Sequence, residues 1–119
     1  MSHQHFTVDV AAEEHLVRRR LNEAAERPEE VVGWFTTDDD VRATVTPSGD
    51  LWLLQVEGGT FKAKGSVELQ RRVPGSSLVI TLDLRGKGFF GLAGPLLALA
   101  GGRIEGQARS TLHREFGAP

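Results

Sequence analysis

The chain has 119 residues, with 14 basic and 16 acidic side chains and a formal net charge of −2. This balance argues against a protein that binds the nucleic-acid backbone, which needs a strongly basic surface. The sequence has no cysteine, which excludes disulfides, thiolate metal ligands and a cysteine nucleophile. Hydrophobic residues make up 39% of the chain, and with this length they predict one globular domain, residues 1–119.

The amino-terminal segment, MSHQHFTVDV, predicts a strand. Phe6, Val8 and Val10 alternate with Thr7 and Asp9, which is the period of a half-buried strand. The segment has neither the basic leader nor the apolar stretch of a secretory signal. We therefore expect a cytoplasmic protein.

The next segment, AAEEHLVRRRLNEAAER, predicts an amphipathic helix. Its apolar residues recur at helical spacing, and they are Leu16, Val17, Leu21, Ala24 and Ala25. Glu13 and Glu14 occupy the first turn, where acidic groups complement the helix dipole. Arg18, Arg19 and Arg20 are expected on the solvent side.

Residues 28–36 leave a short helix and a strand as open alternatives. Pro28, followed by Glu29 and Glu30, is typical of a helix start. The β-branched and aromatic residues that follow favour a strand. In either case we expect Trp34 and Phe35 to point one into the core and the other towards its edge.

Four alternating segments follow an acidic turn at residues 38–40. They are separated by the turn sequences SGD, EGG and PGSS. The residues predicted to face inward are Val41, Ala43, Val45, Trp52, Leu54, Val56, Phe61, Ala63, Gly65, Val67, Leu69, Leu78, Ile80, Leu82 and Leu84. Short loops between such one-faced strands predict an antiparallel meander with one solvated and one buried face.

The last long segment, Gly88 to Phe116, predicts the helix that covers the buried face. Pro95 suits the first helical position, so residues 88–93 are expected to form an approach turn. The 15 uncharged residues from Gly88 to Gly102 are fewer than the roughly 20 that a membrane span requires, and no span is predicted. A stripe of small residues at steps of four allows close packing on the chain's own sheet or on another subunit; it comprises Gly94, Ala98, Gly102, Gly106 and Ser110.

Residues 59–102, GTFKAKGSVELQRRVPGSSLVITLDLRGKGFFGLAGPLLALAGG, resemble the end of the START-like, polyketide cyclase and dehydrase superfamily, also called SRPBCC. The likeness lies in a paired strand with a central glycine, a PG turn, a strand closing on LRGKG and a Gly, Leu and Pro-rich entry to the helix. It implies an α+β helix-grip fold, in which an antiparallel sheet curves around a long C-terminal helix. Short bacterial proteins of the polyhydroxyalkanoate-granule region share this order of elements and are a second possible kinship.

The resemblance implies a cavity between sheet and helix that binds a small hydrophobic molecule. The expected wall residues are Trp34, Trp52, Leu54, Phe61, Ala63, Ile80, Leu82, Phe90, Leu97 and Ile104. Three polar groups, Arg42, Glu57 and Arg103, are expected at the cavity mouth. The alternatives are an enzyme of the polyketide cyclase or dehydratase type, in which these groups reach inward, and a homodimeric interaction module without a ligand.

The sequence gives little support for a metal site or for a loop that binds phosphate or a dinucleotide. The four histidines show no convergence on a zinc site, which needs three or four ligands, and the acidic run at 38–40 lacks the spacing of a calcium loop. GKGFFG at 86–91 lacks the spacing of a phosphate-binding or dinucleotide-binding loop. We therefore predict neither metal nor cofactor.

Overall fold

A computed structural model describes residues 2–35, 41–58, 61–86 and 94–119; for Ser2 and for residues 94–102 it describes the backbone only. The elements are β1 (Ser2–Val10), α1 (Glu14–Ala25), α2 (Pro28–Gly33), β2 (Val41–Ser48), β3 (Leu51–Gly58), β4 (Phe61–Arg71), β5 (Ser76–Gly86) and α3 (Gly94–Phe116). The helix alternative for residues 28–36 is therefore correct. The predicted approach turn and Phe90 lie outside the described residues.

The five strands form one antiparallel sheet in the order β1-β5-β4-β3-β2. The predicted meander is confirmed, since β2 to β5 pair with their neighbours in chain order. The first strand then pairs with the last, with Phe6 opposite Ile80. The sheet therefore has β5 near its middle and edge strands β1 and β2.

The inner face of the sheet carries the core, as the alternation predicts. Leu78 and Ile80 of β5 are fully buried, and Val8 of β1 is buried beside them. The helices contribute a further set of buried residues, which comprises Val17, Leu21, Ala24, Val31, Val32, Ala108, Leu112 and Phe116. All three helices therefore pack on one side of the sheet.

The cover of the inner face is shared between two groups of helices. The α3 helix packs against β1 and β5, whereas α1 and α2 pack against β2, and α1 also contacts β4. The sequence pattern predicts α3 as the cover. The structure adds α1 and α2 over the other part of the sheet, which leaves α3 to cover the half near β1.

The segment between β1 and α1 ties the two ends of the chain together. The amides of Ala11 and Ala12 donate hydrogen bonds of 2.9 and 3.0 Å to the carbonyls of Gly117 and Phe116. The buried hydroxyl of Ser76, at the start of β5, donates to the Ala12 carbonyl at 2.8 Å. The end of α3 is thereby fixed relative to the sheet.

Four local predictions need correction. Leu16 is 45% exposed, because its position on α1 turns away from the sheet. Trp34 and Phe35 are both buried, since the short α2 helix packs on β2 and Trp34 contacts Phe116 of α3. Arg20 lies between the helices rather than in solvent.

The small-residue stripe of α3 is the fourth case. Gly106 and Ser110 are exposed, so this part of the stripe does not pack on the sheet. The exposure of residues 94, 98 and 102 lies outside the described part of the structure.

Candidate functional site

The inner face of the sheet has an apolar region that is only partly buried. It lies at the start of β2, the end of β3 and the start of β4. Ala43 pairs with Val56, and Val41 pairs with Gly58 in the next inward row. Val41, Ala43, Val56 and Phe61 point inward by alternation yet retain partial solvent exposure. We call these four residues the open apolar patch.

The structure divides the predicted wall residues into two groups. Five are core residues at 0 to 4% exposure: Trp34, Trp52, Leu54, Ile80 and Leu82. Ala63, also buried, lies beside Val56. Phe61 and Ile104 are partly buried, and Ile104 packs against the core. Phe90 and the side chain of Leu97 lie outside the described residues.

The two tryptophans already have partners within the protein. The indole N–H of Trp52 donates to the Asn22 side-chain oxygen at 3.0 Å. The Arg20 guanidinium lies 5.7 Å from the centre of the Trp34 ring, and the ring of Phe116 approaches Trp34 edge-on at 6.3 Å. Both tryptophans therefore hold α1, α2 and α3 in place, and their contacts are those of structural anchors.

The three polar residues predicted at the cavity mouth are all exposed. Arg42 and Glu57 pair across β2 and β3, and the alternation places both on the outer face of the sheet. Arg103 is on the exposed side of α3. Their placement brings none of the three to the inner face.

The alternation predicts Val41, Ala43 and Val56 on the inner face, but the predicted cavity wall does not include them. Alternation shows which way a side chain points. It does not show how far the covering helices extend, and this decides which inward residues stay accessible. The α2 helix has only six residues, which limits the area that it can cover.

A surface groove runs along α1, with a volume of about 410 Å³. It is lined by His15, Arg18, Arg19, Asn22, Glu23 and Glu26. Arg18 is paired with Asp50 at 2.5 Å and with Glu14 at 2.8 Å; these hydrogen bonds, that with Asp50 first, raise the pKa of Arg18 above its usual value. The main cation of this groove is thus already neutralised, which makes the groove a poor site for an ionic ligand.

The histidines of β1 lie on the outer face of the sheet. His3 contacts the Asp83 carboxylate at 2.5 Å, and His5 contacts the Thr81 hydroxyl at 3.0 Å. Within the described ranges, no three His, Cys, Asp or Glu side chains come together as a metal site. The described residues thus offer the inner face of the sheet as the candidate site, and that face is apolar.

Solved structures resemble this architecture closely. A START superfamily protein from Mycobacterium smegmatis superposes with a TM-score of 0.73 at 14% identity, over 96% of each chain. The chain adopts a START-like fold. A conserved protein from Geobacillus kaustophilus gives a TM-score of 0.57 at 12% identity over 97% of each chain.

A third structural comparison is with DynU16, from the dynemicin biosynthetic locus. It gives a TM-score of 0.51 at 15% identity, and the match covers 98% of this chain but only 49% of DynU16. No protein-family model and no curated protein matches the sequence. In the described part of the structure, no helix has both the length and the hydropathy required to cross a membrane.

Proposed function

We propose that this protein binds a small hydrophobic molecule between the inner face of its sheet and its C-terminal helix. The open apolar patch carries this proposal. Apolar side chains that point towards a core are normally closed off from water. Here Val41, Ala43, Val56 and Phe61 form a contiguous exception at one end of the inner face.

The chemistry of the patch indicates the kind of ligand. The patch and the buried residues next to it, Leu54 and Ala63, offer only hydrocarbon surface. Burying an apolar group here gains roughly 25 cal/mol for each Å² removed from water. An ionised group at the same place loses hydration without a described partner. The ligand is therefore expected to insert an uncharged, apolar part.

The START-like fold supports the same location. Pockets of this type form between a sheet and the helix that covers it, and they are mostly apolar. The α3 helix brings the partly buried Ile104 to the edge of the core. The proposed ligand would lie on the open apolar patch and extend towards α3 at Ile104.

The enzyme alternative has no observation in its favour. It needs a polar group directed at the ligand, and the three candidates Arg42, Glu57 and Arg103 are exposed. Binding without catalysis is therefore the proposal that the geometry supports best.

A paired substitution tests the location of the site. Ala43→Phe adds a ring at the patch, and Thr44→Phe adds the same ring to the outer face of the same strand. Native mass spectrometry of freshly purified protein would reveal a copurified ligand, and titration with a fluorescent apolar probe such as an anilinonaphthalene would measure affinity. We expect Ala43→Phe to weaken probe binding at least tenfold, a loss of about 1.4 kcal/mol or more relative to the wild type. Thr44→Phe should leave binding within about twofold.

Two results would contradict the proposal. One is a folded wild-type protein that binds neither a copurified molecule nor any of a panel of apolar probes. The other is equal binding by the two phenylalanine variants, which would place the probe away from the inner face. Circular dichroism melts of both variants establish that each is folded.

A further inference from the structure

The outer face of the sheet has an unusual distribution of charge along the strands. Its central row crosses all five strands and contains one histidine but no acidic, lysine or arginine side chain. This row comprises Thr46, Leu53, Ser66, Thr81 and His5. Leu53, in the middle of the row, is 44% exposed. Protein interfaces are depleted of charge at their centre in this way.

The two ends of the same face carry opposite charge. At one end Arg42, Lys62 and Arg85 lie in one row with a single acid, Glu57. At the other end lie Glu68 and Asp9, and Arg72 lies 3.8 Å from the Asp9 carboxylate. The face is therefore basic at one end, weakly acidic at the other and uncharged apart from one histidine in its central row.

From this pattern we infer that the outer face pairs with the same face of a second copy of the chain. A two-fold axis along the central row would stack each strand on its own copy in the opposite direction. Leu53 would then meet Leu53 of the second copy. Lys64, two residues before Ser66, would lie over Glu68, two residues after it, and the pairing would occur twice because the interface is isologous.

The charges nearest the axis favour this arrangement. Neither Lys64 nor Glu68 forms an ion pair with any residue in the described ranges. The side chain of Glu68 accepts a single weak hydrogen bond from Gln70, at 3.3 Å. Both groups are thus available to a partner, and the basic end of one copy would face the acidic end of the other.

The size of the face sets the expected strength. Five strands spaced at about 4.8 Å and nine residues at about 3.4 Å cover roughly 500 Å², or about 1,000 Å² for the two copies. This is the lower limit for a specific interface. Aligned sheets cross at about 30°, which concentrates contact at the centre. We therefore expect a weak dimer, with a dissociation constant in the micromolar range or above, that salt weakens further.

Charge exchange at one pair tests the arrangement. Lys64→Glu brings two carboxylates together at each contact, and Glu68→Lys brings two ammonium groups together. Each single variant is therefore expected to sediment as a monomer at concentrations at which the wild type is a dimer. An equal mixture of the two single variants pairs opposite charges at both contacts, and so does the double variant K64E/E68K. Both are expected to recover the dimer. Arg109→Glu, on the exposed side of α3, reverses a charge away from the face and serves as the control.

A cross-linking experiment tests the register separately. The chain has no cysteine, so Leu53→Cys introduces a single thiol at the centre of the face. A short bis-maleimide should join two copies of this variant efficiently. The control is Val73→Cys in the β4–β5 turn, a position that is 81% exposed. Its thiol is more accessible than that at position 53 but lies away from the proposed interface, so the same reagent should fail to join two copies. Sedimentation of the wild type as a monomer up to millimolar concentration overturns the inference. So does dimerisation of K64E alone as strong as that of the wild type.

Discussion

Gly65 lies opposite Leu82 in the β4–β5 pairing, on the inner face of the sheet. A Cβ atom at this position would overlap the carbonyl oxygen of Thr81 and come within 2.6 Å of a Leu82 methyl group. The overlapped oxygen is part of the backbone and cannot rotate away. Glycine is therefore required here by the close approach of the two strands.

We expect Gly65→Ala to destabilise the protein by about 1–3 kcal/mol, the usual effect of forcing extra volume into a packed region. Gly106→Ala is the matched control, because a Cβ at this exposed helical position meets nothing within 4 Å. Alanine should be neutral there or stabilising by roughly 0.5–1 kcal/mol, since glycine is the poorer helix former. Urea unfolding measures both. Equal stabilities of the two variants would show that β4 can move away from β5 at little cost.

Ser76 is the fully buried polar residue that closes the segment between β1 and α1. Ser76→Ala leaves the partly buried Ala12 carbonyl without its 2.8 Å donor, and an acceptor that loses its partner away from bulk water costs about 1–3 kcal/mol. Its neighbour Ser77 bonds to the Asp9 carboxylate on the solvated side, where water can replace the lost hydroxyl. Ser77→Ala should therefore cost less, about 0.5–1 kcal/mol. Thermal melts of the two variants give the comparison, and a larger loss for Ser77→Ala would contradict this account.

At the scale of elements, the sequence predicts the sheet well, because the alternation of apolar and polar residues in each strand shows which side chains face the core. Phe6 and Val8 show the alternation, and so do Leu78, Ile80 and Leu82, so strand positions and loop lengths suffice to predict the meander. No local signal indicates that β1 pairs with β5. Alternation is a local property, and the choice of a distant neighbour is not.

The helices were harder to predict because their contacts depend on tertiary packing. The arginines at 18, 19 and 20 look alike in sequence, yet Arg20 packs on Trp34 and its neighbours do not. The candidate site shows the same limit. The inward direction of Ala43 and Val56 could be predicted, but their partial exposure depends on where α1, α2 and α3 end over the sheet.

Arg20 joins all three helices at one point. It donates to Glu30 of α2, contacts Glu115 of α3 at 3.4 Å and lies over the Trp34 ring. The hydrogen bond to Glu30 is the main cause of the raised pKa of Arg20. The arginine and both carboxylates are each about a third exposed or less, so their pairing is less screened than that of surface ions.

We expect Arg20→Ala to destabilise the fold by about 1–3 kcal/mol, since it removes the cation from two carboxylates and an aromatic ring. Arg19→Ala is the control, because Arg19 is 76% exposed and lies 3.9 Å from Glu23; its loss should stay within about 0.5 kcal/mol. The pKa of Arg20 is higher in the folded protein than in the unfolded chain. The contribution of Arg20 to the free energy of unfolding is therefore complete below the pKa of the unfolded chain and is lost only above it. The difference between wild type and Arg20→Ala should therefore be constant from about pH 7 to about pH 10. A difference that shrinks over this range would contradict the assignment.

At the scale of the whole molecule, the described packing is uneven across the sheet. Five residues of β5 are buried on its inner face, and the strand is paired on both sides. In contrast, β2 buries only Val45 and is an edge strand. Regions with few buried apolar contacts open at lower free energy than core strands do. Residues 41–48 should therefore exchange their amide hydrogens faster than residues 76–86.

The proposed ligand should reduce this imbalance. An apolar molecule on Ala43, Val56 and Phe61 adds buried contacts to the strand ends that lack them, and it stabilises only states in which the patch is formed. Hydrogen exchange of the protein with and without a bound apolar probe should show the largest slowing in residues 41–45 and 54–58, and little change in β1. Slowing confined to β1 would move the ligand to the other half of the sheet. No slowing in any strand, at a probe concentration that saturates the fluorescence signal, would show that the probe binds outside the fold's interior.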